Sequence, residues 1–491
     1  MNTLQPPTPP KHLSQALKLL EQSWSLIKQQ HANIVQLEAL LLEQQTQIDE
    51  LLERIGKSSR NSSRSPSSDS PAHKAKRSGK PPSLRQQGAQ PGHKKHQRER
   101  LQESQVDEIK RYFPPSHCTC GTALKMMPSP GYRHQVFDLP EVQYSVTEHQ
   151  VYSGHCPHCQ IRHTGRLPDW VPSGQMGPGL ISSIVWLNGQ FHLSIRQIQA
   201  FLKAQWKLDF SLGAISQAQG KANSWLSQLY RDIGDYVRGS EVAHADETSY
   251  YRGKERRWLW VLVTDKVCWF MTHYSRGMGA ADILLRDFSG YLVTDHYAGY
   301  NRVDAKRRQL CWAHLTRNFI AISERGGQAA RIGGKMLWIA HGVMRTRHRY
   351  QDDDITEAIY RRRMQRLRQS LQRTLAWGAE GPSGQRTTNQ CRHLLKDEAL
   401  CWTFLQDDRI PLTNNTAERA LRSYVIWRKL SFACQSHRGE KYLPMALSVI
   451  GTLQRLPLLT ASFLRTVCTE YMELGYVATH IPLEQCNPQL P

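Results

Sequence analysis

The chain has 491 residues, with 64 Lys and Arg against 42 Asp and Glu, a formal net charge of +22 and a pI near 9.6. So much basic charge attracts phosphate, because neutralising phosphates releases condensed counterions; nucleic acid is the leading partner class and a membrane surface the second. Eleven cysteines, an odd number spread through a long chain, speak against a secreted disulfide scaffold and for a reducing compartment. No apolar run approaches 18 residues, and the opening MNTLQPPTPP lacks the charged and apolar regions of an export signal, so the expectation is a cytoplasmic chain without a membrane partner.

Residues 11–55 carry a heptad column: Leu13, Leu20, Ile27, Ile34, Leu41, Ile48 and Ile55. Leu17 and Trp24, then Leu37 and Leu51, fill a second seam whose spacing shifts from four to three. This pattern predicts a coiled coil with a register irregularity, and so a homo-oligomer; the competing reading is one amphipathic helix packed on its own protein. Residues 57–100 hold twelve Lys or Arg against two acids and almost no large apolar side chains. Such a segment cannot bury enough surface to offset its ordering entropy, and it reads as a disordered basic arm on DNA backbone or a solvated linker (56–100).

Between 101 and 172 lie HCTCG and GHCPHCQ, which bring Cys118, Cys120, Cys156 and Cys159. Zinc takes four soft ligands in a tetrahedron, often from two short turns. Cys156 and Cys159 have the usual two-residue spacing; Cys118 and Cys120 do not, and His117 offers an alternative to Cys118. The strand-like QYSVTEHQVYSGHC between the turns suggests a zinc-ribbon-like unit. Three amphipathic stretches fill 173–235, the second and third with helix-turn-helix proportions and Ser211 as a cap for the third.

From 236 the period changes. EVAHADETSYY, RRWLWVLVTD and VCWFMTHYS read as three strands, GMGAADILLRDF as a helix, GYLVTDHYAGYN as a fourth strand and RQLCW as a fifth. A meander, a helix and a returning strand open a ribonuclease-H-like α/β domain (236–435), with a helical insertion at about 318–405 and a helical tail at 436–491. Asp246 lies in the first strand and Asp295 at the end of the fourth, which are neighbours in such a sheet. Phosphodiester chemistry uses two divalent cations, Mg²⁺ or Mn²⁺, held by few carboxylates, and Glu418 is the acid at the start of a later helix. Glu247, Asp287 and Asp304 compete for the same roles, and Asn415, three residues before Glu418, has the spacing of a capping box.

Taken together, RNSSRSPSSDSP, GAQPGHKKH, HCTCG with CPHC, HADETSYY, VTDHYAGY, CWAHLTRNF and NNTAERALR follow one another over residues 10–440. In that order they resemble the insertion-sequence-66-type transposases, a DDE family of bacterial mobile elements. The resemblance implies a leucine-zipper-like helix, a zinc region, a helix-turn-helix and a ribonuclease-H-like catalytic domain. It implies Asp246, Asp295 and Glu418 as catalytic acids, and nucleoid-associated work on element ends and target DNA, with accessory proteins of the same element as further partners. Cys311 and His314 match a C-x2-H signature of the family, as a second metal site or as support for the active site. Arg419 and Arg422, beside Glu418, are candidates for DNA phosphates. His117 departs from the family's first knuckle, which usually begins with cysteine. Two other readings compete: a zinc-containing DNA-binding regulator on an inert α/β scaffold, and a nuclease or resolvase that joins nothing.

Overall fold

A computed structural model describes residues 12–62, 99–139, 143–381, 384–431 and 434–483. Most of the basic arm expected over 56–100, and the last residues of the tail, lie outside them.

The N-terminal heptads form one helix, α1, Leu13–Gly56. Its 44 residues reach about 66 Å at 1.5 Å per residue. The whole first seam, from Leu13 to Ile55, is exposed, so α1 does not bury this stripe on its own chain. The turn after it touches the body where the Asn61 amide donates to Glu324 Oε2 at 2.7 Å.

Residues 99–139 and 143–172 carry little regular structure beyond a short 3-10 turn at Glu103–Gln105 and one antiparallel pair, β1 (Ser153–His155) with β2 (Arg162–Thr164). The strand expected over QYSVTEHQVYSGHC is thus cut to its last residues. Tyr144, Val146, Val151 and Tyr152 are exposed, so no packed face holds the rest of that stretch extended.

Three helices follow: α2 (Pro178–Phe191), α3 (Ile195–Trp206) and α4 (Leu212–Arg238). Ser194 caps α3 in a capping box with Gln197, and Ser211 caps α4 by accepting from Ala214 N. α4 buries nine residues, Trp225 and Leu229 among them, whereas α3 buries only Ile198 and Leu202. Of the two helices with helix-turn-helix proportions, α3 is the one that faces solvent.

The sheet is built from β3 (Val242–Arg252), β4 (Glu255–Val263), β5 (Cys268–His273), β6 (Tyr291–Thr294) and β7 (Arg308–Leu310), in the order β5-β4-β3-β6-β7. β3, β4 and β5 form the antiparallel meander; after helix α5 (Met278–Leu285) the chain returns and β6 runs parallel to β3, then β7 parallel to β6. Leu259 to Val263 of β4 are all buried, the continuous apolar run of a strand covered on both faces. At Gly290 a Cβ would come within 2.5 Å of the Ser240 and Glu241 carbonyls, so only glycine lets β6 start so close to β3.

Two cores meet at the sheet. Leu292 of β6 packs into one and its neighbour Val293 into the other, as the two-residue period of a strand requires. The second core belongs to α6 (Trp312–Ser323), α7 (Gly327–Gln351), α8 (Glu357–Glu380) and α9 (Gln385–Lys396), the helical block expected near 318–405. The first core takes in α10 (Asn415–Ser431), α11 (His437–Leu453) and α12 (Thr460–Leu474). The helical tail is therefore bound into the sheet's own core: Ser448 Oγ and Thr452 Oγ1 of α11 accept from Phe270 N and Cys268 N of β5.

Candidate active site

The register of β3 against β6 pairs His244 with Val293. Continued two residues, it sets Asp246 beside Asp295, the residue that follows β6. Both side chains keep part of their surface open to solvent. Burial first, then the charges of Glu247 and Asp295, raise the Asp246 carboxyl well above the usual carboxylate range, and Glu418 adds to the rise. All three acids named from the sequence therefore lie in one electrostatic neighbourhood. They do not form a single tight ligand set, since among the described residues no three of these carboxylates place oxygens within 4.8 Å of one another.

Asp295 sits in a turn held from within the protein. Its Oδ1 accepts from Tyr297 N at 2.9 Å, and the buried guanidinium of Arg308 donates to the Asp295 and Tyr297 carbonyls and to Thr294 Oγ1. Glu247, a competitor in the sequence, accepts from Arg276 and, at 2.7 Å, from the Tyr300 hydroxyl. Its carboxyl is raised by burial and by Asp295. Asp287 is exposed beside Arg286, and Asp304 accepts from Lys306 N in a surface turn, so neither joins the acids.

Glu418 comes from the first turn of α10, and the capping box expected from Asn415 does not form. The helix begins at Asn415, so Glu418 lies four residues past the cap position, Asn414. The Asn414 side chain is fully buried and faces the sheet: Nδ2 donates to the Ala245 carbonyl at 2.8 Å, and Oδ1 accepts from His244 Nδ1 at 3.1 Å. Burial pushes the His244 imidazole down to about 4, so it is neutral at pH 7. One residue thus ties the start of α10 to β3 immediately before Asp246. Glu418, freed from capping, meets Arg317 Nη2 at 3.3 Å and His314 Nε2 at 3.4 Å, both from α6.

The C-x2-H signature belongs to the same junction. Cys311, at the start of α6, is buried, and its sulfur accepts from Asn414 N at 3.1 Å. Burial pushes its thiol up to about 11, away from the thiolate that metals prefer. His314 lies one turn on; burial, then Arg317, lowers its imidazole. Cys311 and His314 therefore face the Asn414–Glu418 segment, and they are not part of a second metal cluster among the described residues. Arg419 and Arg422 lie exposed on α10 next to Glu418.

The zinc candidates form two separate turns. Cys118 N donates to Thr122 O, and Gly121 takes φ +90, a conformation that favours glycine. Cys156 N donates to Ile161 O, and Gln160 N to Cys156 O. Hydrogen bonds from Thr122 and then Cys118 push the Cys120 thiol down to about 7, and contacts with Cys159 lower that of Cys156. The donors thus suit a cation that binds thiolate. Among the described residues, no three of His117, Cys118, Cys120, Cys156 and Cys159 bring ligand atoms within 4.8 Å, so the two turns stand apart.

Residues 173–442, more than half of the chain, match the family described as Transposase IS66 family. The chain belongs to the IS66 transposase family. Residues 115–160 match the zinc-finger binding domain of transposase IS66, which covers every zinc candidate, and residues 10–99 match a family of unknown function. Among similar proteins, the uncharacterized protein y4hP of Sinorhizobium fredii (strain NBRC 101917 / NGR234) is 23% identical over 376 residues, 69% of this chain and 67% of its own. Uncharacterized protein y4qI of the same organism is 26% identical over 274 residues, 50% of each chain. Uncharacterized protein y4jD is 23% identical over 313 residues, 58% of this chain and 60% of its own. No described helix is long and apolar enough to cross a membrane.

Sequence reasoning missed Asn414, Arg317 and Arg308. Asn414 stood in the quoted NNTAERALR, but its neighbour Asn415 carried the capping spacing and drew the reading.

Proposed function

We propose that this member of the IS66 family cleaves DNA at the ends of its element and joins them to a target. The sheet order supports a ribonuclease-H-like catalytic domain, and the observation that carries the reading is the convergence of Asp246, Asp295 and Glu418 from β3, β6 and α10. In this reading the three carboxylates hold two Mg²⁺ ions, which when bound neutralise phosphate charge and favour ionisation of the attacking hydroxyl. The protein's part is placement. Arg308 fixes the Asp295 turn, Asn414 fixes the first turn of α10 against β3, and Arg317 with His314 positions Glu418. Arg419 and Arg422 receive phosphates passing over the start of α10. Water attack at the element's end breaks the phosphodiester into a 3′-OH on the element and a 5′-phosphate on the flanking strand; that 3′-OH attacks a target phosphodiester in line and displaces the target's own 3′-OH.

The zinc finger holds Zn²⁺ through Cys118, Cys120, Cys156 and Cys159. His117 remains an alternative to Cys118, because its Nδ1 pairs with Ser116 Oγ at 3.0 Å and its Nε2 is left for a metal. Helix α3 and the finger read the element's ends, the basic arm and the exposed arginines of α8, among them Arg362, Arg363 and Arg366, hold phosphates, and the seam of α1 pairs two chains.

The test is a cleavage and strand-transfer assay with purified full-length protein, the element's own ends and Mg²⁺. Joined products are expected from the wild type and none from Asp295→Ala or Glu418→Ala. Full cleavage by either variant overturns the assignment; end binding without cleavage by the wild type marks a DNA-binding regulator, and cleavage without joining marks a nuclease.

A further inference from the structure

Next to Asp295 the chain builds a second polar cluster that the acid site does not use. His296, the residue after Asp295, lies with its Nε2 2.8 Å from Asp397 Oδ2, and its ring centroid is 4.5 Å from that of His393. His393 and Asp397 come from the end of α9 and the residue that follows it, about a hundred positions along the chain. One ligand atom from each of the three lies within 4.8 Å of the others, the one such group of three or more among the described residues. His296 and His393 also line a cavity of about 880 Å³ between α6 and the helical block, so there is room for water at the open side of the group.

We propose that His296, His393 and Asp397 bind a divalent transition-metal ion of the zinc class, separate from both the acid site and the finger. Two imidazoles and one carboxylate are a donor set that zinc and its first-row neighbours accept, with a fourth position left for water. Mg²⁺ prefers an all-oxygen shell, so the ions of the acid site would not compete here. With metal–nitrogen bonds of about 2.0 Å, the present 2.8 Å contact opens to about 3.3 Å, the edge of a tetrahedron, which needs only side-chain rotation. The ion would fasten the end of β6 to the end of α9, and so the helical block to the turn that carries Asp295.

The experiment counts bound metal on the full-length chain. Stripped protein is dialysed against Co²⁺ in the presence of millimolar Mg²⁺, and bound cobalt is measured per chain together with the optical spectrum. The wild type is expected to hold one more equivalent than His393→Ala and than Asp397→Asn. The equivalent lost should carry no thiolate-to-cobalt band, and a Cys156→Ser, Cys159→Ser double variant should keep it while losing that band. His393 is exposed, so its removal leaves no buried group unpaired, and a melting curve verifies that each variant is folded. Equal cobalt in the wild type and a folded His393→Ala overturns the proposal, as does an extra equivalent that disappears with the two cysteines; the cluster is then an ordinary histidine–aspartate hydrogen bond beside a second ring.

Discussion

The acid site and the zinc-finger region hold their functional side chains by opposite means. Each of Asp246, Asp295 and Glu418 follows a fully buried residue: Ala245 before Asp246, Thr294 before Asp295 and Ala417 before Glu418. The backbone beneath each acid is fixed by the core and by polar ties from Arg308 and Asn414. Residues 99–139 and 143–172 have almost nothing comparable, with Tyr112, Phe113, Tyr132, Phe137 and Trp170 all exposed. A region that buries so little has no packed core to arrange its side chains, so in the proposed reading the cation does it. The sheet holds its carboxylates close despite their mutual repulsion, whereas the proposal has the finger become ordered as its metal binds.

The comparison breaks most visibly on metal removal. Stripping zinc, or Cys156→Ser with Cys159→Ser, is expected to cost the finger roughly 10 kcal/mol of coupled folding free energy. Hydrogen exchange over 115–160 should become fast while amides of β3 and β4 stay protected; slow exchange in the stripped finger would count against the contrast. Next in size is the loss of one acid: Asp295→Ala should lower Mg²⁺-dependent cleavage by about a thousandfold, roughly 4 kcal/mol at the barrier, while the variant stays folded.

Asn414→Ala is smaller but acts on both sides of the argument. It leaves the Ala245 carbonyl and His244 without their partner in a buried place, at a cost of about 2–3 kcal/mol. Because it also frees the start of α10, more Mg²⁺ should be needed for half-maximal cleavage; an unchanged requirement would mean that Asn414 is structural alone.

Asp246→Asn goes the other way. The folded chain holds the Asp246 proton more tightly than the unfolded chain does, so stability is lost as pH rises from the ordinary carboxylate range toward the raised value. Asparagine removes that loss, and at pH 7 the inactive variant should be about 1 kcal/mol more stable than the wild type without metal. Urea melts at pH 5 and pH 8 test it: the gain should be larger at pH 8. For the same reason Mg²⁺ should bind more tightly as pH rises, since it displaces a proton. Smallest is Arg422→Ala, which should weaken DNA binding equally for all sequences and reduce the salt slope by about one unit, read from binding isotherms at several salt concentrations.

Much of this protein was legible in local sequence. Heptads, knuckle turns, the Ser211 cap and the strand meander depend on residues only a few positions apart, and their spacing carries them. The order of the acids along the chain singled out Asp246, Asp295 and Glu418, which the fold brings into one electrostatic neighbourhood. The failures were also local: the strand expected over 143–156 shrank because nothing packs against it, and the spacing of Asn415 to Glu418 mimicked a cap that the tertiary structure put to another use. Asn414 could turn inward only because β3 presents the Ala245 carbonyl and His244 to it, and Glu418 turned outward because α6 brings Arg317 and His314. His296 meets His393 and Asp397 across the boundary of two cores. The sequence by itself determined the order of the candidate acids and knuckle cysteines along the chain. Which of them meet was decided by packing, because hydrogen-bond and ion-pair partners a hundred residues apart are chosen by the fold and not by any spacing along the chain.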